Sequence, residues 1–223
     1  MAEEQAAFAS RCGISVDQFV ITDALREPIG PELAHGVDAV MIGGAGAYSV
    51  TDTFAWTNGL IDLCLACADH RVPLFGSCWG HQFIARAFGG EVVHDEARAE
   101  LGTHPVSLTE VGQTDALLSH FPKRFFAQMG HHDRVTRLPE GAVELARNAA
   151  NPYQAFRMAD VPIYGTQFHS ELDVAGMRSR LLTYRPYYPE LADDNFFSAV
   201  FDSLRETPEV DDLLKSFLET YAV

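Results

Sequence analysis

The stretch Gly76-Ser77-Cys78-Trp79-Gly80 constrains this chain more than any other. It follows the apolar run Val72-Pro73-Leu74-Phe75 and opens a helix-compatible run from Trp79 to Phe88. Glycines two residues either side of a nucleophile, where a strand turns sharply into a helix, make a nucleophile elbow. A Cβ at either glycine is expected to clash with neighbouring backbone. The cysteine would stand at a helix N-terminus, where free N–H groups and the macrodipole favour a thiolate. A glycine-rich turn around a buried, inert cysteine is the alternative, and G-x-C-x-G alone does not separate the two.

A second signal lies far downstream. Pro162-Ile163-Tyr164 starts a short strand that runs into Gly165-Thr166-Gln167-Phe168-His169-Ser170-Glu171. Residues two apart in an extended segment point to the same side, so His169 and Glu171 are expected to emerge together, with the carboxylate orienting the imidazole. A lone histidine at a strand end is ordinarily structural. With a cysteine elbow, Cys78, His169 and Glu171 supply the nucleophile, base and orienting acid that thiol catalysis needs.

These motifs resemble the class I, or triad, glutamine amidotransferases, and most closely stand-alone members related to the amidotransferase domain of guanosine monophosphate synthetase. The resemblance rests on Gly76 to Gln82 and on Gln167 to Glu171, supported by Gly43-Gly44, Gly130-His131-His132-Asp133 and Gln154-Ala155-Phe156. It covers roughly residues 17–183. It implies hydrolysis of the L-glutamine side-chain amide through a γ-glutamyl thioester on Cys78, with no cofactor. The backbone N–H groups of Trp79 and Gly44 are the expected oxyanion donors. Gln82, one helical turn beyond Cys78, and backbone near Gly130 and His131 are expected to recognise glutamine. Two departures stand out. Ser170 replaces the proline usual between the triad His and Glu, and the loop Gly43 to Ser49 is longer than the usual Gly-Gly-Pro-x-Ser.

The chain has 223 residues, 47% apolar and 21% charged, enough for one α/β domain with a good core. Its 16 basic and 31 acidic residues leave a net charge of −15, which argues against a nucleic-acid or anionic-membrane surface. Four cysteines, an acidic start and no long apolar run favour the cytoplasm over secretion or a membrane. Cys64-x-x-Cys67 sits in a helix-like apolar segment without a second cysteine pair, so core packing is expected rather than a redox or zinc site. His131-His132-Asp133 invites a metal, but three adjacent residues cannot all point inward, and no metal is expected. Asp133 is expected to cap or brace its loop.

Strands and helices alternate, which predicts an α/β fold: a doubly wound, mostly parallel, flavodoxin-like sheet with helices on both faces and C-terminal helices added. Helices are expected at 2–12, 55–69 and after the elbow, where Gly89-Gly90 ends the run. Strands are expected at 18–21, 39–42, 72–76, 103–108, 124–128, 143–147, 153–158 and 162–167. Gly43, Cys78 and His169 then fall at the carboxyl ends of strands, where such sheets place their sites. A first strand should precede the first helix. Residues 18–21 fill that slot, another segment does, or the reading frame is truncated. Residues 1–183 are expected to form the amidotransferase-like domain and 184–223 a helical appendage packed on it. Its stripes are Phe196, Phe197, Val200, Phe201 and Leu204, then Leu213, Leu214, Phe217, Leu218 and Tyr221, with Pro208 opening the second helix. Capping the site or forming a homodimer contact are weaker uses for them.

Three functions follow. In the first, ammonia from glutamine passes to a separate synthase subunit or is released, since no synthase domain is legible in the chain. In the second, the same triad serves a γ-glutamyl peptidase or hydrolase. In the third, the chain is a non-catalytic regulatory subunit, against which the intact triad argues. A serine-type α/β-hydrolase is disfavoured, because there the acid precedes the histidine.

Overall fold

The computed structural model describes residues 2–222. The elements are α1 (Ala2–Cys12), β1 (Val40–Ile42), α2 (Thr57–His70), β2 (Leu74–Ser77), α3 (Trp79–Ala87), β3 (Glu91–His94), β4 (Glu100–Leu108), β5 (Arg124–His131), β6 (Asp133–Arg137), β7 (Ala142–Arg147), β8 (Ala155–Met158), β9 (Ile163–Thr166), α4 (Val174–Tyr184), α5 (Asp194–Ser203) and α6 (Leu213–Tyr221). Seven strands form one sheet in the order β1-β2-β9-β8-β7-β4-β5, and β3 pairs with β6 in a separate two-stranded sheet. The α/β class is as expected, but the sheet is mixed. Only β1–β2 and β2–β9 are parallel, while β9–β8, β8–β7, β7–β4 and β4–β5 are antiparallel.

Strand periodicity sets the two cores. In β2, Leu74 and Phe75 are both fully buried yet belong to opposite faces. Phe75 joins Phe8 of α1 and Phe217 of α6 on one side, and Leu74 joins Cys64 and Cys67 of α2 and Phe83 of α3 on the other. The C-x-x-C pair is thus core packing, with both thiols free. The acidic first turn and basic last turn of α1 suit its macrodipole, and Gly13 ends it at φ +68°.

The segment 18–21 is not a strand. Ser15 and Gln18 form a capping-box contact, with the Ser15 N–H donating to Gln18 Oε1 at 3.0 Å, and a short 3-10 turn follows. Phe19 packs on the core, but Val20 is 78% exposed. Among the described residues, β1 is the edge of the sheet. Pro208 likewise opens a 3-10 turn, and α6 begins only at Leu213. The inner stripe of α6 is buried as expected, through Leu213, Leu214 and Phe217. In α5 only Val200, with Leu204 just beyond it, is buried, and Phe196 is 44% exposed. Tyr164 Oη, held 2.8 Å from Tyr221 Oη, ties α6 to β9. Among the described residues no helix is long and apolar enough to cross a membrane.

Candidate active site

Cys78 follows the last residue of β2 and caps α3. Its backbone lies at φ 52°, ψ −100°, a conformation L-residues rarely adopt and that marks functional sites. The flanking glycines permit it by close approach rather than by positive φ of their own. A Cβ on Gly76 would fall 2.5 Å from the Gly80 carbonyl carbon, and one on Gly80 would fall 2.1 Å from the Ile42 oxygen. The Cys78 N–H donates to Thr166 O at 2.8 Å, so the elbow is stitched to the end of β9. The sulfur lies 3.7 Å from the Gly130 oxygen and 3.8 Å from Gln167 Nε2.

His169 and Glu171 sit past the end of β9, on an irregular segment rather than on the strand. Their side chains meet all the same, with His169 Nδ1 2.8 Å from Glu171 Oε1. A carboxylate on Nδ1 keeps the proton there and leaves Nε2 to the cysteine. Burial would lower the His169 pKa, but the pairing with Cys78 and Glu171 outweighs it and raises it. Burial would likewise raise the Glu171 carboxyl. The facing imidazole, Arg180 and the Ser77 hydroxyl prevail and hold it down at about 2, so it stays ionised.

Ser77 and Arg180 are partners that sequence reasoning missed. Ser77 Oγ donates to Glu171 Oε2 at 2.5 Å, and Arg180 Nη1 lies 3.8 Å from Glu171 Oε1. Ser77 stands in the elbow motif itself, whereas nothing in the α4 pattern marks Arg180. The Ser170 departure has a use here. Its N–H donates to Ser77 Oγ at 3.4 Å, a bond proline could not make, and its hydroxyl lies 2.8 Å from Thr166 Oγ1.

Gly44 abuts the imidazole, since a Cβ there would lie 3.4 Å from His169 Cε1 and 3.0 Å from Arg180 Nη1. Trp79 begins α3, and the N–H groups of a first helical turn have no intrahelical acceptor. Gln82 is buried, and its Nε2 donates to Asp133 O at 2.6 Å and to Gln167 Oε1 at 3.1 Å. Its amide nitrogen therefore serves the scaffold. His131 is tied to the scaffold through Nδ1, which bonds Asp133 O at 2.9 Å, and its Nε2 lies 3.4 Å from Glu100 Oε2. Glu100 also accepts from Asn148, Asn151 and Gln154. Burial would raise its carboxyl, but the imidazole and amides bring it down to about 2.

The three residues of His131-His132-Asp133 diverge. His132 stacks on Tyr188, with centroids 4.8 Å apart, and bonds Glu190. Asp133 braces the loop after β1 through Ser49 Oγ at 2.6 Å and the Val50 N–H at 2.7 Å, and holds His94 Nδ1 at 2.7 Å. The β3–β6 pairing, which nothing in the pattern of charged residues announces, puts His94 opposite Asp133. Among the described residues no cluster of three metal-ligating side chains forms.

Together these groups line a cavity of about 230 Å³ that holds Cys78, His169, Gly44, Trp79, Gln82 and Gly130 at its surface. Tyr184, Tyr188 and Leu191 close one wall. A family model described as glutamine amidotransferase class-I matches residues 5–184. The chain belongs to the class I glutamine amidotransferases.

The amidotransferase is 32% identical over 156 residues to a subunit of the glutamine-hydrolyzing GMP synthase of Archaeoglobus fulgidus, covering 70% of this chain and 78% of that one. It is 37% identical over 112 residues to the corresponding subunit of Methanocaldococcus jannaschii, covering 50% of this chain and 56% of that one. The chain spans only 21% of the length of the GMP synthase of Thermosipho melanesiensis, to which it is 36% identical over 112 residues. The crystal structure of a glutamine amido transferase from Methylobacillus flagellatus superposes with a TM-score of 0.73 at 22% identity, over 97% of this chain and 88% of that one, a likeness of fold. The wall residues Tyr188 and Leu191 lie beyond the matched region.

Proposed function

We propose that the protein hydrolyses the side-chain amide of L-glutamine and delivers the ammonia to a separate synthase subunit. The observation that carries this is a cysteine on a strained elbow, at φ 52°, sharing a cavity with a carboxylate-oriented imidazole. The Cys78 thiolate attacks the amide carbon, and the oxyanion that forms is met by the N–H groups of Trp79 and Gly44. The His169 imidazolium gives its Nε2 proton to the departing nitrogen, which leaves as ammonia. A water molecule then gives a proton to His169 and attacks the thioester. The carbon–sulfur bond breaks, and glutamate and thiolate are released. Glu171 holds the imidazole in the tautomer this needs. Gln82 and the backbone around Gly130 and His131 recognise the amino-acid end of the donor. We assign residues 184–223 to a C-terminal helical unit that completes the cavity wall.

The cavity, at about 230 Å³, has room for a single amino acid. Relatives named as separate GMP synthase subunits support a distinct ammonia acceptor. The test compares ammonia release from glutamine with cleavage of γ-glutamyl dipeptides. Glutamine should be preferred by about tenfold or more in kcat/KM, the ratio ~1.4 kcal/mol of discrimination gives. A preference for the peptides would overturn the assignment in favour of a hydrolase.

A further inference from the structure

We infer that Gln167 is a further catalytic residue, whose side-chain amide donates a hydrogen bond to the Cys78 sulfur and steadies its anionic form. This rests on Cys78 being the nucleophile. Gln167 Nε2 lies 3.8 Å from Cys78 Sγ, within reach of the large sulfur atom. The amide is buried and its orientation is dictated by its neighbours.

The dictation starts at the Asp133 carbonyl, which can only accept. It takes one bond from His131 Nδ1 and another from Gln82 Nε2, filling its two lone pairs. Gln82 must therefore present its NH₂ group, not its oxygen, at that point. The same NH₂ group meets Gln167 at 3.1 Å, so Gln167 must present its oxygen there. Its own NH₂ group is then left facing the sulfur. The reversed amide would set two donors against each other at Gln82 and a carbonyl oxygen against the thiolate. On the other side of the His131 ring, Glu100 Oε2 lies 3.4 Å from Nε2.

Hydrogen bonds to an ionised group are worth more than neutral ones, about 1.5–3 kcal/mol. The charged and titratable groups that face the sulfur are His169 with Glu171 behind it, Arg180 from α4, and Tyr188. All of them are unchanged by substitution at position 167.

The experiment measures the rate of iodoacetamide alkylation of Cys78 against pH, read by peptide mass spectrometry, in the full chain and in Gln167→Met. Methionine keeps the length and loses the donor. The half-maximal pH should move up by about one unit, the shift that ~1.4 kcal/mol of lost anion stabilisation gives. Gln82→Met, which frees Gln167 to turn, should move it up by less. An unmoved profile in a folded Gln167→Met protein would overturn the inference. Should that variant fail to fold, an unmoved profile in Gln82→Met does the same. Alkylation needs no glutamine, so this outcome is independent of whether wild-type protein releases ammonia from glutamine, on which the functional proposal stands.

Discussion

Cys78→Ala and Cys78→Ser lose glutamine hydrolysis by about 10³-fold or more while their melting temperatures stay close to wild type. Apart from its pairing with His169, the sulfur makes only long contacts among the described residues, 3.7 Å to Gly130 O and 3.8 Å to Gln167 Nε2, so removing it takes little from the fold. His169→Ala loses activity to a similar extent, since the same imidazole must first protonate the leaving nitrogen and then activate water. Glu171→Ala retains more activity, because an orienting acid is the less costly triad member to lose. It destabilises the protein instead: Ser77 and Arg180 both lose a buried partner, and the fully buried imidazole loses the carboxylate on Nδ1. Ammonia release and thermal melts on the four variants separate these effects. Full activity in His169→Ala would show that the base lies elsewhere.

Gly80→Ala is the second large effect, and it falls on stability. The added Cβ would meet the Ile42 oxygen at 2.1 Å and its carbonyl carbon at 2.8 Å, so α3 cannot keep its seat on β1. Backbone cannot rotate away as a side chain can. The expected loss is roughly 3 kcal/mol or more, which for a chain of this size lowers Tm by about 10 °C. Gly89→Ala is the informative comparison. Gly89 has open space around it but sits at φ +85°, so only conformational strain is added there. Its cost should be about 1–2 kcal/mol. Equal melting temperatures for the two variants would contradict the close-packed elbow.

The elbow and the triad are legible in the sequence because their requirements are local. A glycine on each side of Cys78 and a carboxylate two residues after His169 leave a signature that does not depend on the rest of the fold. The buried strands are legible for the same reason, since Leu74-Phe75 and Ile163-Tyr164 are apolar on both faces. Residues 18–21 mislead because their apolar composition suggests a strand, while the Ser15-x-x-Gln18 cap turns the chain. The β3–β6 ribbon escapes notice because its strands, Glu91–His94 and Asp133–Arg137, are short, carry polar ends and come from distant parts of the chain. Arg180, Glu100 and Tyr188 reach the site only through tertiary packing, from α4, β4 and the segment after α4, and no short spacing connects them to Cys78. Gln167 is visible as part of a motif, but its role depends on which way an amide points, and that is set by a carbonyl at residue 133.

The most direct test is to treat the protein with a glutamine-analogue electrophile and locate the adduct by peptide mass spectrometry. Burial raises the thiols of Cys12 and Cys67 to about 12 and that of Cys64 further still, so none of them competes at neutral pH. One adduct per chain is expected, on Cys78, blocked by prior glutamine. An adduct on any other residue, or a Cys78 that stays unmodified while the protein releases ammonia from glutamine, would contradict a thiolate-centred mechanism.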